Sequence, residues 1–566
     1  MKSKIFSIFI ALFISCSLSA QYSDYVNKIF KNKTEIHFKF NINSRTEISR
    51  ITRIISIDNV KDMEVFAYAN KEEFSKFIEL GYDFQFIEES SFKSSDYNML
   101  DNLNAKNILA WDFYPTYSVY DSLMNRFQIN YPNLCRSFSI KTLASGRKLL
   151  FVKISDNPDS IENEPKFLYS SSMHGDELTG AILMLRLIDY LLSNYSTNPR
   201  IVNLINNTEI WINPMANPNG TYASGNSTVA GATRYNGNSV DLNRNYPDPQ
   251  GGQHPDGNNW QEETMAFMAL ADSIQFTMAA NFHGGAEVCN YPFDTWAQLA
   301  ADDNWWNYVC REYADTVHPF AVSGYLDDLD NGITNGYAWY QAIGGRQDYM
   351  NYFKHCREFT LEISNTKKPT ASTLPNYWNY NYRSLLNYIE QCHYGLRGIV
   401  TDSITGQPLK AKIFIQNHDA DSSHIYSVLP LGNYFRPIYA GNYNVTYSAN
   451  GYYPKTINVS ILNKNTIVKN IQLVSVSNDI AEVRNSKDAI KIYPNPAKTK
   501  VCLEFGKNSI YKILIIKDIY GKEVFRKSLT TEIGKIEINT TNFVKGIYFI
   551  NFEGNESNFV NKLIIQ

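Results

Sequence analysis

The sequence predicts a protein of several domains, with one large α/β domain built on a mixed sheet. A small N-terminal α+β module and two C-terminal β-sandwich domains flank it. At 566 residues the chain exceeds what one hydrophobic core usually organises. Helical and strand patterns alternate without repeats over residues 106–393, as in α/β domains. From residue 394 onward the pattern changes to short strands separated by turn residues, which is typical of β-sandwiches.

The first 20 residues have the pattern of a secretory signal peptide. Lys2 and Lys4 precede an apolar run over residues 5–14, and small residues end the segment at Ala20. This run is shorter than the roughly 20 apolar residues that a membrane-spanning helix needs, and no later stretch reaches that length. We therefore expect an exported protein that is secreted or located at the cell surface.

Charge and cysteine content narrow the possible functions. The formal net charge is -3 and the basic residues form no stripe, which argues against a nucleic-acid partner. Of the seven cysteines, six follow the signal peptide, and none has the Cys-x-x-Cys spacing of a zinc knuckle or a redox motif. An exported chain permits disulfides. Their spacing assigns no pairing, and buried free thiols are the favoured interpretation for most of them.

Residues 21–100 predict a small α+β module, because alternating strand patterns surround one short amphipathic helical pattern at residues 71–81. The position of this module ahead of the large domain suggests a propeptide. A fixed accessory domain explains the same pattern equally well. Residues 90–96 are polar and predict a linker to the domain at 106–393.

The C-terminal part of the chain predicts two β-rich units. Residues 394–474 contain short strands with turn signals and predict a β-sandwich of about 80 residues. Residues 474–489 predict a linker, and residues 490–566 predict the second unit, which has the sequence Tyr-Pro-Asn-Pro near its start. The first β-sandwich contains no cluster of catalytic residue types, so the function is expected to lie in residues 106–393.

A candidate zinc site begins at a predicted strand-to-helix turn. The segment 171–180 contains His174 and Glu177, and two such side chains three residues apart can point the same way and bind one zinc ion. A catalytic zinc needs three protein ligands and one open position. The third candidate is His283, which ends an apolar strand pattern and precedes two glycines, where α/β folds place their sites.

Two further segments offer charged groups to this site. The polar segment 233–247 contains Arg234 and Arg244, and it suits a loop that binds a carboxylate or stabilises an oxyanion. A solvated loop is the alternative interpretation. Glu362 stands inside an otherwise apolar strand pattern, where burial or a nearby cation must account for a carboxylate. We interpret Glu362 as a general base.

Six blocks in this order resemble the zinc metallocarboxypeptidases, and more narrowly the regulatory branch typified by carboxypeptidases N, E, D and M. The blocks are HGDE at 174–177, DLNRNYP at 241–247, residues 283–294, residues 332–340, GGRQD at 344–348 and TLEIS at 360–364. Residues 394–474 are similar to the transthyretin-like domain that follows the enzyme domain in that branch. Residues 490–566 resemble the C-terminal sorting domain of the type IX secretion system.

The resemblance implies a function for each matched residue. It makes His174, Glu177 and His283 the ligands of one Zn²⁺, and it makes Glu362 the general base and Arg234 the group that stabilises the oxyanion. The residues implied to bind the C-terminal carboxylate of a peptide are Asn243, Arg244 and Tyr340. Those implied to accept a C-terminal Lys or Arg side chain are Asp294 and Gln347.

One position departs from the family pattern, and one residue near the ligands has a less direct role. Relatives commonly carry Met where this chain has Arg346, and an extra cation there could neutralise Asp294, which puts the preference for Lys or Arg in question. Asp176 is implied to orient a ligating histidine and not to bind the metal itself.

Three functions are compatible with these features. The first, which the six blocks favour, is a secreted zinc carboxypeptidase with peptide or protein substrates. The second is an amidase acting on cell-wall peptides. The third is a non-catalytic, peptide-binding surface protein, against which the retention of Glu362 and all three zinc ligands argues. The expected partners are substrates with a free C-terminus and the type IX secretion machinery.

Overall fold

The computed structural model divides into two compact units, Met1–Val474 and Ser475–Gln566. The predicted signal peptide and most of the predicted linker at 474–489 lie outside the residues that the structure describes. Those described residues are 25–31, 33–87, 94–103, 110–476, 490–504, 511–529, 534–554 and 558–566.

The N-terminal part of the first unit is a four-stranded antiparallel sheet in the order β2-β3-β1-β4. The helix Lys71–Ile78 packs on this sheet through Phe74 and Phe77, whose rings lie against Phe38 of β1. The Asn70 side chain accepts two backbone N–H groups and so fixes where the helix begins. The strands are Ile36–Asn41 (β1), Ser56–Lys61 (β2), Glu64–Ala69 (β3) and Phe84–Phe86 (β4). The short helices are Arg45–Glu47 (3₁₀), Ile48–Ile51 and Ser94–Tyr97 (3₁₀).

An eight-stranded mixed sheet in the order β13-β12-β14-β11-β9-β10-β8-β7 forms the centre of the first unit. Strands β10, β9, β11 and β14 are parallel neighbours, while β7, β8 and β12 run antiparallel to their partners β8, β10 and β14. The strands of this sheet are Cys135–Thr142 (β7), Lys148–Ile154 (β8), Lys166–Ser171 (β9), Glu209–Asn213 (β10), Met278–His283 (β11), Glu287–Tyr291 (β12), Ile333–Asn335 (β13) and Arg357–Ile363 (β14). Two short strands, Met99–Leu100 (β5) and Tyr114–Pro115 (β6), pair only with each other among the described residues. The mixed sheet confirms the predicted α/β class.

Helices cover both faces of the mixed sheet, which explains why its parallel strands are apolar on both sides. Phe167 and Tyr169 of β9 belong to one core, and Leu168 between them belongs to the other. The helices are Tyr117–Asn130, Thr179–Asn194, Pro199–Ile205, Pro218–Thr221, Glu262–Ile274, Asp303–Val317, Asp328–Asn331, Gly336–Trp339, Arg346–Lys354 and Leu374–Glu390. The 3₁₀ turns are Leu242–Arg244, His318–Phe320, Ala371–Thr373 and Gln391–His393.

Two four-stranded sheets enclose the next core, as the turn-rich sequence predicts. One has the order β18-β15-β21, with β22 also paired to β15, and the other has the order β17-β16-β19-β20. The strands are Gly395–Asp402 (β15), Lys412–Ile415 (β16), Ile425–Tyr426 (β17), Asn433–Arg436 (β18), Gly441–Ser448 (β19), Lys455–Ile461 (β20), Thr466–Val468 (β21) and Ile471–Leu473 (β22).

A buried ionic cluster joins these sheets to the α/β part of the unit. Arg436 donates to both oxygens of Asp302 at 2.9 and 3.0 Å, and Arg357 donates to the same carboxylate at 2.8 Å. Although burial alone would raise it, the two guanidinium groups hold the pKa of Asp302 well below its usual range. The cluster fixes the β-sandwich against the large domain.

The second unit contains the β-rich structure predicted for the C-terminus. Its two sheets, β23-β24-β27 and β26-β25-β28-β29, share one apolar core. The strands are Lys491–Tyr493 (β23), Lys500–Glu504 (β24), Tyr511–Asp518 (β25), Glu523–Ser528 (β26), Lys535–Asn539 (β27), Gly546–Gly554 (β28) and Asn558–Ile565 (β29). All six cysteines after the signal peptide are buried free thiols, in agreement with the favoured interpretation of the sequence.

Candidate active site

The three predicted zinc ligands meet at the carboxyl ends of the parallel strands β9 and β11. His283 ends β11, and the turn that carries His174 and Glu177 follows β9. Nδ1 of His174 lies 3.0 Å from Oε1 of Glu177 and 3.0 Å from Nδ1 of His283. Nδ1 of His283 lies 2.8 Å from Oε2 of Glu177. All three side chains are buried, so their donor atoms face one another away from water.

The arrangement fits a zinc ion. Tetrahedral zinc with bonds of about 2.0 to 2.2 Å separates its ligand atoms by about 3.4 Å, so a small outward movement of these donor atoms would accommodate the ion. Apart from Nδ1 of His283, itself a predicted ligand, Oε2 of Glu177 has no partner among the described residues, as expected for an atom that binds a cation. The predicted zinc site of His174, Glu177 and His283 is therefore confirmed.

Hydrogen bonds on the far side of each imidazole orient the two histidine ligands. Nε2 of His174 donates to Oδ1 of Asp241 at 3.0 Å, which leaves Nδ1 free to bind the metal. Nε2 of His283 lies 2.7 Å from the side-chain nitrogen of Asn281, whose oxygen lacks a partner among the described residues. Rotating the Asn281 amide by about 180° exchanges its nitrogen and oxygen, and the oxygen then accepts a hydrogen bond from Nε2–H of His283. Both histidine rings can therefore present Nδ1 to the ion.

The prediction that Asp176 orients a ligating histidine is wrong, because Asp241 makes that contact. Since Nδ1 of His174 faces Glu177 in its own turn, Nε2 points away from the turn and toward the polar segment 233–247. Although burial opposes it, Arg234 and His174 hold the pKa of Asp241 well below its usual range. Asp241 lies in one of the six blocks that resemble the family, but nothing in its spacing indicates which ligand it contacts.

Glu362 lies beside the metal ligands. It is on β14, directly opposite His283 in the parallel register of β11 and β14. Its side chain is buried, and Oε2 has no hydrogen-bond partner in the described part of the chain. Burial, together with the negative charges of Glu177 and Asp58, raises the pKa of Glu362 well above its usual range.

Arg234 and the residues predicted to bind a carboxylate line the same cleft. Arg234 is buried and donates from Nε to Oδ2 of Asp241 at 3.1 Å. Arg244 is also buried, and Asn243 accepts the backbone N–H of Arg346 at 2.9 Å. Tyr340 is half-buried after the short helix Gly336–Trp339. The structure thus brings these four predicted residues to one side of the zinc ligands.

Asp294 and Gln347, the predicted side-chain pocket, are in direct contact. The side-chain nitrogens of Gln347 and Asn290 each donate to Oδ1 of Asp294 at 3.1 Å. Burial raises the pKa of Asp294 to about 6. Gly336 makes room for this carboxylate, because a Cβ atom at that position would lie 1.7 Å from Oδ1 of Asp294.

Arg346 does not neutralise Asp294. Its guanidinium donates to both oxygens of Glu358 at 3.0 and 3.2 Å and lies over the ring of Phe267. The guanidinium of Arg346 is therefore paired with Glu358 and is not available to Asp294.

The strand β2 of the N-terminal module lies across the cleft. The carboxylate of Asp58 accepts from Nη1 of Arg234 at 2.8 Å. The backbone oxygen of Ile57 accepts from Nη2 of Arg244 at 2.8 Å, and that of Asp58 accepts from the hydroxyl of Tyr340 at 3.3 Å. Three of the residues predicted to contact substrate thus contact two consecutive residues of the module.

More contacts of the module surround this strand. The carboxylate of Glu35 accepts the backbone N–H groups of Arg234 and Tyr235 at 2.7 and 3.0 Å. The Tyr235 hydroxyl donates to Glu73 at 2.7 Å. The module is therefore bonded to the loop at 233–247 along its length and covers it.

Sequence reasoning missed Lys367. Its ammonium lies 2.6 Å from Asp58 and 2.9 Å from Oε1 of Glu177, so it joins the module to a zinc ligand. Although burial opposes it, Asp58 and Glu177 raise the pKa of Lys367 well above its usual range. The sequence around Lys367 does not predict that its ammonium lies in the site, because its partner Asp58 is 309 residues away in the chain.

Comparison with known proteins agrees with this geometry. A family model described as zinc carboxypeptidase matches residues 120–384. Carboxypeptidase D of Homo sapiens is 37% identical over 371 residues, which cover 63% of this chain and 26% of that protein. Carboxypeptidase M of Mus musculus is 36% identical over 340 residues, 57% of this chain and 75% of that protein. The catalytic chain of carboxypeptidase N of Mus musculus is 33% identical over 63% of this chain and 84% of that protein.

The fold and the metal site define a zinc-binding α/β protein of the metallocarboxypeptidase type. The chain belongs to the zinc carboxypeptidase family, and its relatives include the carboxypeptidases of the D, M and N type. It matches about a quarter of the length of carboxypeptidase D.

The C-terminal unit has a separate match. A model of the secretion system C-terminal sorting domain matches residues 491–566, which confirms the predicted sorting domain and indicates a secreted or cell-surface protein. Within the described residues, none of the helices is both long and apolar enough to cross a bilayer.

The metal site can be tested without an activity assay. His283→Ala removes one of three ligands, so bound zinc after dialysis should fall from about one to below about 0.2 equivalents per chain, measured by elemental analysis. A chelator should lower the Tm of the wild type, because zinc binds the folded chain in preference to the unfolded one. The exposed His254 offers a matched control, and His254→Ala should keep its zinc. Equal zinc content in both variants would contradict the assignment.

Proposed function

We propose that the protein is a zinc-dependent carboxypeptidase that hydrolyses the C-terminal peptide bond of peptides or proteins. One observation carries the proposal: Glu362 and the three zinc ligands lie together at the carboxyl ends of the parallel strands, and Nη1 of Arg234 lies 3.5 Å from Oε1 of the ligand Glu177. A base, a metal site and a guanidinium group are parts that hydrolysis of a terminal peptide bond requires.

The residues of the chain have distinct parts in this reaction. A bound zinc ion would polarise the scissile carbonyl and acidify water. Glu362 takes a proton from the attacking water and returns it to the leaving amine. The guanidinium of Arg234 stabilises the negative charge that develops on the carbonyl oxygen, a contribution of about 2.7 to 4 kcal/mol for groups of this kind.

Arg244, with Asn243 and Tyr340, binds the free C-terminal carboxylate of the substrate. A guanidinium can hold a carboxylate through two parallel hydrogen bonds, which makes a free C-terminus a condition of binding. The contact of Arg244 with the Ile57 carbonyl supports this assignment, because it places the guanidinium within reach of an oxygen acceptor in the cleft. The Nε of Arg244 has no hydrogen-bond partner among the described residues and is available for a second bond.

The preferred terminal residue is Lys or Arg. Asp294 supports this preference, since its buried carboxylate accepts from the neutral amides of Asn290 and Gln347 and can also pair with a cation. The pairing of Arg346 with Glu358 supports it as well, because that guanidinium is not available to Asp294.

We also propose that residues 21–100 act as a propeptide that keeps the enzyme inactive until it is displaced. Ile57 and Asp58 present a backbone oxygen to Arg244 and a carboxylate to Arg234, which are the groups that a substrate would occupy. A buried carboxylate between two cations is strongly bound, since removing one partner of a buried ion pair costs about 3 to 5 kcal/mol. A purely structural accessory domain would not require contacts with the groups proposed to bind substrate.

Replacing the base tests the reaction. Glu362→Gln keeps the shape of the side chain but cannot accept the proton, so kcat should fall by about 10² to 10⁴-fold while zinc content is unchanged. Glu262→Gln, at a half-buried position where the carboxylate pairs with Lys141, is a control outside the site and should keep wild-type activity. Equal hydrolysis by Glu362→Gln and wild type would overturn the assignment of the base, and no hydrolysis by any form would favour a binding protein.

A panel of peptides that differ only in the C-terminal residue tests the preference. The panel is run with the wild type and with Asp58→Ala, so that a covered cleft is not mistaken for an inactive one. Release of Arg and Lys should exceed release of Phe, Leu and Glu. Asp294→Asn should lower kcat/KM for Arg by about ten- to a hundredfold, because it removes a charged hydrogen-bond acceptor. Cleavage of muropeptides without release of any residue from ordinary peptides would instead favour the amidase.

Loosening the module tests its role as a propeptide. Asp58→Ala removes the carboxylate by which the module binds Arg234 and Lys367, so the module should leave the cleft more often and hydrolysis should rise at least about tenfold. Asp83→Asn, at an exposed position of the same module, should change nothing. Hydrolysis rates are measured at equal zinc content. Unchanged activity of Asp58→Ala relative to an active wild type would identify a fixed accessory domain.

A further inference from the structure

The loop that carries Asp294 is fixed by a second buried carboxylate, that of Asp348. Asp348 lies in the first turn of the helix Arg346–Lys354 and is 1% exposed. Its two oxygens each lie 3.1 Å from the backbone nitrogen of Asp294, and one of them accepts the backbone N–H of Thr295 at 2.8 Å. One carboxylate therefore binds two consecutive N–H groups of this loop.

The other side of the loop is held by Asp248. Its carboxylate accepts from the hydroxyl of Thr295 at 2.9 Å and from the backbone N–H of Gly344 at 3.1 Å. Gly344 stands just ahead of the helix that carries Asp348. The loop is thus bound both to this helix and to the segment that precedes it.

The same helix also sets the position of the Asp294 side chain. Gln347 donates to Oδ1 of Asp294 and accepts the backbone N–H of Thr360 on β14 at 2.7 Å. Asp348 fixes the backbone of Asp294, and Gln347 fixes its carboxylate. Both contacts come from adjacent residues of one helix, so the carboxylate has a defined place relative to β14.

The charges in this region favour a cationic ligand. Asp294, Asp348 and Asp248 are all buried, and burial together with the charges of Asp294 and Asp248 raises the pKa of Asp348 well above its usual range. The negative charges of these carboxyl groups repel one another. A lysine or arginine side chain of a substrate, paired with Asp294, would reduce this repulsion.

We propose that Asp348 is a positioning residue that sets the preference for a basic C-terminal residue by holding Asp294 in place, without touching the substrate itself. This inference rests on the proposed carboxypeptidase function. Displacement of a recognition group by about 1 Å can cost about a hundredfold in rate. Loss of the two backbone contacts would let Asp294 shift by that order, while the zinc ligands at the ends of β9 and β11 keep their positions.

The test is Asp348→Asn in the full chain, assayed in whichever of the wild-type and Asp58→Ala backgrounds is more active. Asparagine replaces one of the two oxygens by an NH₂ group, which then faces the backbone N–H of Asp294 and repels it. We expect kcat/KM for a peptide ending in Arg to fall about ten- to a hundredfold, chiefly through KM. The value for the same peptide ending in Leu should change less than about threefold.

Two controls separate positioning from loss of structure. Asp303→Asn changes another first-turn aspartate of a helix, one that bonds to Asn307 of its own helix, and should leave the ratio of Arg to Leu release unchanged. Free arginine should inhibit Asp348→Asn more weakly than wild type, while inhibition by free leucine stays the same. If Asp348→Asn does not fold, Asp348→Ser keeps one acceptor oxygen and gives the same test.

A double-mutant cycle decides whether Asp348 acts through Asp294. In the Asp294→Asn background, Asp348→Asn should cause no further loss of preference for Arg, because the group that it positions is already gone. Additive losses, or an equal loss with Arg and Leu peptides, would overturn the proposal. A wild-type ratio of Arg to Leu release in Asp348→Asn would also overturn the proposal. If the parent chain releases no C-terminal residue from any peptide, the carboxypeptidase function itself fails, and that result is distinguishable from the others.

Discussion

The structure depends on burying three electron-rich ligand atoms at the carboxyl ends of the parallel strands of a mixed sheet. His174, Glu177 and His283 place their donor atoms within 4.8 Å of one another, an arrangement that a cation must stabilise. The carboxyl ends of β9 and β11 bring them together, and the hydrogen bond from His174 to Asp241 turns the ring toward the ion. Because Asp241 also binds Arg234, the metal site and the anion-binding side of the cleft share one buried carboxylate.

The N-terminal module supplies the negative charge that the cations beside the metal site require. Arg234 is buried and the side chain of Lys367 is only 10% exposed, and burying such cations without enough negative charge is costly. Asp58 supplies that charge, and the Ile57 carbonyl supplies an acceptor to Arg244. The groups proposed to recognise substrate are therefore the same groups that bind the module, so latency and recognition depend on one set of contacts.

Much of the fold and the metal site could be predicted because the signals are local. A histidine and a glutamate three residues apart at a strand end, and a carboxylate in an apolar strand, are visible in the sequence. The covering of the cleft was not predictable, because Asp58 meets Lys367 across 309 residues and neither residue belongs to a motif. The role of Asp176 was misjudged for a related reason: the sequence gives the residues near a histidine, but not the direction of its second ring nitrogen, which points to Asp241.

Arg346 illustrates how helix geometry decides what an unusual residue does. Successive residues of a helix are rotated by about 100° about its axis, so the side chain of Arg346 points in a different direction from that of its neighbour Gln347. Gln347 and Asp348 both act on Asp294, one on its side chain and the other on its backbone, while Arg346 points to the Glu358 carboxylate. The added cation comes with its own buried counter-charge, so the substitution leaves the electrostatics of the pocket to Asp294 and its neighbours.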